Sequence, residues 1–119
     1  MTRPRLVACC LALALSCGAV VSGCGTGDAQ PLAKQACAHV ELGLAAEHKA
    51  ASVGAAQAAR LEGEALDQIR AALPLAAVAA NDDTTWQALD ATLSESNRVP
   101  LRYLIPALTA QCGSSAGNG

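Results

Sequence analysis

Residues 31–44 read PLAKQACAHVELGL, and their spacing decides the fold. Ala33, Cys37, Val40 and Leu44 recur at i, i+4, i+7 and i+11, the repeat that gathers side chains on one face of an α-helix. Pro31 suits the first turn of that helix, where a missing N–H forfeits no intrahelical bond. Cys37 therefore lies on the apolar stripe. Beyond Glu47 the pattern thins through Ala50, Ala51, Ser52, Val53 and Gly54. Either one long alanine-rich helix runs on, or a turn falls near Val53 and Gly54.

From about Ala55 a second amphipathic stretch puts Ala59, Leu66, Ile69 and Leu73 on one side and Arg60, Glu64 and Asp67 on the other. Pro74 removes a backbone donor and disfavours helical geometry at Leu73, so this helix is expected to end or kink before the apolar run Leu75 to Ala80. Asn81-Asp82-Asp83 makes a clear break. Thr84 and Gln87 then match a capping box, in which a hydroxyl and an amide satisfy free N–H groups reciprocally. Trp86, Leu89 and Leu93 follow on one face, giving a third helix near 84 to 96. Ser96 and Asn97 close it, and Pro100 opens a last stripe of Leu101, Leu104, Ile105, Leu108 and Cys112, which Pro106 kinks or restarts.

Composition points the same way. The chain is 52% hydrophobic but only 2% aromatic, with no Phe and one Trp, so its apolar content is chiefly Ala, Leu and Val. Alanine is the strongest helix former, whereas strands favour β-branched and aromatic residues. The expectation is an all-α fold, a small antiparallel helical bundle. A chain of 119 residues leaves room for one such domain. The formal net charge of -2 is no electrostatic footprint for nucleic acid, so no nucleic-acid partner is expected.

The first 24 residues read differently. Arg3 and Arg5 give a positive start, Leu6 to Val21 form an apolar run, and Ser22 and Gly23 are small residues before Cys24, the order of a secretory signal. The run is shorter than the roughly 20 residues that a permanent membrane-crossing helix needs. At its end, Val21-Ser22-Gly23-Cys24 resembles the lipobox of bacterial lipoproteins, an aliphatic residue and two small ones before the cysteine that receives lipid. The resemblance covers residues 1–24. It implies diacylglyceryl attachment to the Cys24 thiol, with palmitate-like chains, cleavage before Cys24 and anchoring of the mature chain to a membrane. Leu6-Val7-Ala8-Cys9 matches the same pattern but almost no apolar stretch precedes it, and before Cys17 the bulky Leu15 occupies a position that favours a small residue.

This divides the chain into a signal peptide over 1–23, a lipidated flexible tether over 24–30, a helical domain over 31–112 and a disordered Gly/Ser/Asn-rich tail over 113–119. Without Arg3 and Arg5 the mature chain carries 6 basic and 10 acidic side chains, net -4. Of the 6 cysteines, Cys9, Cys10 and Cys17 leave with the signal and Cys24 carries lipid. Cys37 and Cys112 remain. In an oxidising compartment they are expected to form a bridge, and closing a loop of that size is worth roughly 4 to 5 kcal/mol by chain entropy. One cysteine near the start of the first helix and one at the end of the last meet only if the number of up-and-down helices is even. Four short helices, or two long broken ones, are therefore expected rather than three.

No catalytic or metal constellation emerges. His39 and His48 stand nine residues apart, which turns them to opposite faces of a helix as solvated surface residues. Glu41 and His48 are roughly 10 Å apart along such a helix, too far for a compact first shell. Glu62, Glu64 and Asp67 stand among Arg60 and Arg70 at spacings that suit surface ion pairs, and Asp82 and Asp83 sit where negative charge caps a helix. Trp86 and Tyr103, the only aromatics, are expected at core or rim positions. No cofactor is expected and no nucleophile motif occurs. The function expected is that of a noncatalytic envelope lipoprotein, anchored to a membrane through Cys24 and exposed outside the cytoplasm, whose bundle contacts another envelope protein. The alternative is a carrier for a small apolar ligand or lipid held between helices.

Overall fold

Small side chains set how the helices of this protein meet. The computed structural model describes residues 28–117, with side chains as far as Gly113. It contains α1 (Ala29–Ala50), α2 (Ala55–Asp82), a 3-10 turn (Thr84–Trp86), α3 (Gln87–Glu95) and α4 (Leu101–Gly117). The four helices pack as an antiparallel bundle in which α1 lies against α2 and α4, and α3 lies against α2 and α4. The lipobox residues Val21, Ser22, Gly23 and Cys24 lie outside the described residues.

The seam between α1 and α2 is lined by Ala33, Ala36, Val40 and Gly43 from one helix and Ala65, Ile69, Ala72 and Ala76 from the other, all buried. Gly43 marks the closest approach. A Cβ placed there would stand 3.1 Å from the Ala65 carbonyl oxygen and 3.3 Å from Ile69 Cδ1. The buried stripe of α2 runs through Leu61, Ala65, Ile69, Ala72, Ala76 and Ala79. The expected stripe is thus displaced: Ala59 is exposed, and Leu66 and Leu73 are half-buried. The close seam admits alanine, and the larger leucines are left to flank it.

The alternative left open after Glu47 is decided as a turn. Ser52 donates to the Lys49 carbonyl through both its N–H (3.1 Å) and its hydroxyl (3.0 Å), and the chain re-enters a helix after the extended Gly54. His48 and Lys49 occupy the last turn of α1, where positive charge is favourable toward the helix dipole. Of the outcomes left open at the two prolines, an end or a restart of the helix does not occur. Pro74 lies inside α2, which continues to Asp82, and Pro106 lies inside α4 without restarting it. Each ring sits on an exposed face, and buried alanines on both sides of Pro74 hold α2 together across the lost hydrogen bond.

After α2 the chain turns through Asp83, whose carboxylate accepts from the Thr85 N–H at 2.9 Å. The capping box expected from Thr84 and Gln87 is not formed. Asp83 has the extended backbone of an N-cap and is the residue that caps this turn. Leu89 and Leu93 of α3 and Leu101, Leu108 and Cys112 of α4 complete the core. Ile69, Leu89, Leu93, Leu108 and Val40 are its largest fully buried side chains. Cys37 and Cys112 form the disulfide that joins α1 to α4, with Cα atoms 5.3 Å apart across a separation of 75 residues. Beyond it α4 carries on to Gly117, past the point where the sequence suggested a tail.

Candidate functional site

The bundle differs at its two ends. Near the start of α1 the helices are stapled and closed, whereas where α1 gives way to α2 none of residues 51–60 is buried. The α3 to α4 connection stops short of this end. A compact chain of bonds folds it back, with Ser96 donating to the Leu93 carbonyl and the Arg98 and Val99 N–H groups both donating to the Glu95 carbonyl at 2.8 Å. Arg98 also ion-pairs with Glu95.

Two adjoining hollows result, of about 390 Å³ and 310 Å³. The larger has Leu44, Ile105 and Ala50 among its walls, and the smaller has Leu66, Leu101 and Val99. Glu47, Glu62 and Arg102 line both, so the hollows form one cleft with charged groups at its middle. Glu47 is half-buried, while Glu62 and Arg102 are exposed. Neither glutamate makes an ion pair or side-chain hydrogen bond among the described residues. The Arg102 guanidinium instead lies over the Tyr103 ring, 4.8 Å from its centroid, a favourable cation–π placement.

The residues singled out from sequence are dispersed. His39 is half-buried, and its Nδ1–H donates to Gln68 Oε1 at 2.7 Å, which ties α1 to α2. This corrects the expectation of a solvated His39, because α2 packs along that side of α1. His48 is exposed and borders the cleft. Arg70 pairs with Asp67 at 3.5 Å, while the expected Arg60 to Glu64 pair does not form. Trp86 is half-buried against Ala29, Ala33 and Ala79, with its indole N–H buried and unpartnered. Tyr103 departs from expectation: it is 65% exposed, because Leu101, Leu104 and Leu108 hold the inward side of α4. Among the described residues, Leu42 and Val78 are the other large apolar side chains that face out.

Among the described residues no three His, Cys, Asp or Glu are grouped to hold a metal, and no helix is long and apolar enough to cross a membrane. The cleft itself was not read from sequence, since it draws on three helices. A signal for it does exist. Glu47 extends the stripe Ala33, Cys37, Val40, Leu44 by one more step, and Glu62 extends Leu73, Ile69, Leu66 backwards by one. Carboxylates thus continue two apolar stripes at their cleft end, Glu47 half-buried and Glu62 exposed on the flank of the α2 core face. Compared with known proteins, the chain matches no family model, no curated protein and no solved structure.

Proposed function

We propose that this protein is a lipoprotein of the bacterial cell envelope, exported on residues 1–23, lipidated at Cys24, and displaying its helical bundle as a noncatalytic docking module for another envelope protein. The observation that carries this reading is Val21-Ser22-Gly23-Cys24 at the end of an apolar run that follows Arg3 and Arg5. The Cys37 to Cys112 bridge supports it, because a structural disulfide persists in the oxidising compartments that such a signal reaches. So does the course of α1. Its 22 residues carry the chain about 33 Å from residue 28 to the end of the bundle where the cleft opens.

Lipid supplies the anchoring energy at about 0.8 kcal/mol per buried methylene, and two or more chains on one residue hold a protein durably where one does so only marginally. The bundle then acts within a short reach of the bilayer. A carrier of small apolar ligands is less well supported, since the cleft is open and charged groups stand at its middle. Intact-mass analysis of the membrane-extracted protein tests the reading. The expected result is a chain that starts at Cys24 with a lipid-sized addition, and a Cys24→Ser form that is no longer retained by membranes. A full chain starting at Met1, or unchanged retention of Cys24→Ser, overturns it.

A further inference from the structure

We infer that the outer side of the α1–α2 hairpin, which displays Leu32, Leu42, Leu75 and Val78, is the face of the bundle that lies on the lipid bilayer. The inference rests on the lipid anchor proposed above and adds to it the side on which the protein meets its membrane. Helix geometry separates the two sides of the hairpin. Two residues turn a helical side chain by about 200°, so Cys37, bonded to α4, and His39, bonded to Gln68 of α2, leave α1 on opposite flanks of its buried stripe. Leu66 and Gln68 divide α2 in the same way, since Leu66 walls a hollow together with Leu101 of α4. Thus α3 and α4 cover one side of the hairpin, and no described helix covers the other. Leu32 and Leu42 fall on the His39 flank at i−7 and i+3, and Ala71, Leu75 and Val78 on the Gln68 flank at i+3, i+7 and i+10. Leu42 is 58% exposed and Val78 48%, with Leu32, Ala71 and Leu75 half-buried beside them.

Two observations select lipid as the occupant. The first is the length of chain that precedes Asp28. Only residues 25–27 stand between it and Cys24, and four peptide steps span at most about 14 Å. Asp28 lies one helical turn before Leu32, so acyl chains on Cys24 keep the bilayer within that reach of this face. The second is the chemistry and size of the face. From Leu32 to Ala46 on the His39 flank and from Gln68 to Val78 on the other, it carries no Asp, Glu, Lys or Arg. It measures roughly 20 Å along the helices and roughly 20 Å across the pair, about half of the 800 Å² or so that a standard protein interface buries on each side. A bilayer asks for no complementary shape, and the anchor already supplies the affinity. Asp28, Glu64 and Asp82 rim the face, so the lipid that suits it is zwitterionic, not anionic. Resting on this side turns α3 and α4 outward, toward the partner of the docking reading.

Photo-crosslinking in phosphatidylcholine vesicles tests this, with the membrane-extracted protein reconstituted as Leu42→p-benzoylphenylalanine, Val78→p-benzoylphenylalanine or, on the outward side of α4, Tyr103→p-benzoylphenylalanine. All three positions are exposed, so the fold tolerates the probe. The expected result is phospholipid adducts at positions 42 and 78 in yields about fivefold or more above position 103, because only a face held at the interface stays in contact with lipid. Adding Leu42→Asp is expected to lower the yield at position 78 by a similar factor while the protein stays on the vesicles. Melting curves of each variant establish that the bundle is intact. Yields that are equal at the three positions or greatest at 103, or a yield at 78 unmoved by Leu42→Asp, overturn the inference. So do adducts at 42 and 78 on a second copy of the chain in place of lipid. In each of these cases the anchor stands as long as the protein sediments with the vesicles. A chain without a lipid-sized addition that remains in solution overturns the anchor and the inference together.

Discussion

The two ends of this bundle solve the packing of alanine-rich helices in different ways. At the end that carries residue 28, Ala33, Ala36, Ala72, Ala76 and Ala79 are wholly buried, Leu89 and Leu108 fill the middle, and Cys37 is bonded to Cys112. At the other end α1 and α2 extend past the α3–α4 connection, Leu44, Leu66 and Ile105 are only half-buried, and Glu47 and Glu62 border an open cleft. Alanine brings backbones close but buries little area per residue, and apolar burial yields only about 25 cal/mol per Å². A small bundle of this kind therefore needs a covalent staple at one end to leave the other end open.

That contrast can be broken most directly at the staple. Replacing Cys112 by Ser is expected to lower stability by about 2–5 kcal/mol, read from urea denaturation under non-reducing conditions. An unchanged midpoint would mean that the closed end holds without its bridge. Next in size is the difference between core leucines. Leu93→Ala, at a fully buried site, is expected to cost about 2–5 kcal/mol. Leu66→Ala, at the half-buried wall of the cleft, should cost about 1 kcal/mol. Equal losses for the two would erase the distinction between closed and open ends.

A smaller effect sharpens the picture of the seam. In Gly43→Ala the new methyl meets a backbone oxygen at 3.1 Å, which α2 can relieve only by moving. Overpacking and the gain in helix propensity oppose each other, and a net loss of about 1 kcal/mol is expected in the same denaturation assay. A gain in stability would show that the helices part easily there. The smallest effect belongs to Asp83. Hydrogen bonds from Thr85, its hydroxyl first and its N–H second, hold the Asp83 carboxyl below its ordinary value. A depressed folded-state value means that the carboxylate's contribution is complete above the unfolded value and is lost as pH falls through the folded one. Asp83→Asn should therefore lower stability slightly at neutral pH, with the difference from the parent closing as pH falls through the folded value, as thermal melts across pH 2 to 7 would report.

Much of this could be read from spacing. The first helix, its stripe through Cys37, the break at Asn81-Asp82-Asp83 and the even helix count followed from period and from a pairing of Cys37 with Cys112. That α2 runs on past Pro74 was left open because a local rule weighs the lost hydrogen bond, while the buried alanines around Pro74 offset it through contacts far away in sequence. The offset of the α2 stripe escaped for a related reason: periodicity finds a face but not which edge of it lies closest to a neighbour. Tyr103 and His39 were misplaced likewise, since a residue on the flank of a helix is covered or bare according to the helix beside it.

By itself the amino-acid sequence determined the helical class, the break between the two hairpins and the pairing of Cys37 with Cys112. The first two depend on side-chain period and turn chemistry within a few residues, and the pairing on the expected processing that would leave one pair of thiols to join. Only the tertiary structure decided that Pro74 is spanned, that Gly43 lies against Ala65, and that Glu47, Glu62 and Arg102 share one cleft. The reason is physical: each of these depends on how far one helix extends past another, a quantity fixed by the summed packing of the whole bundle and by no local segment of it.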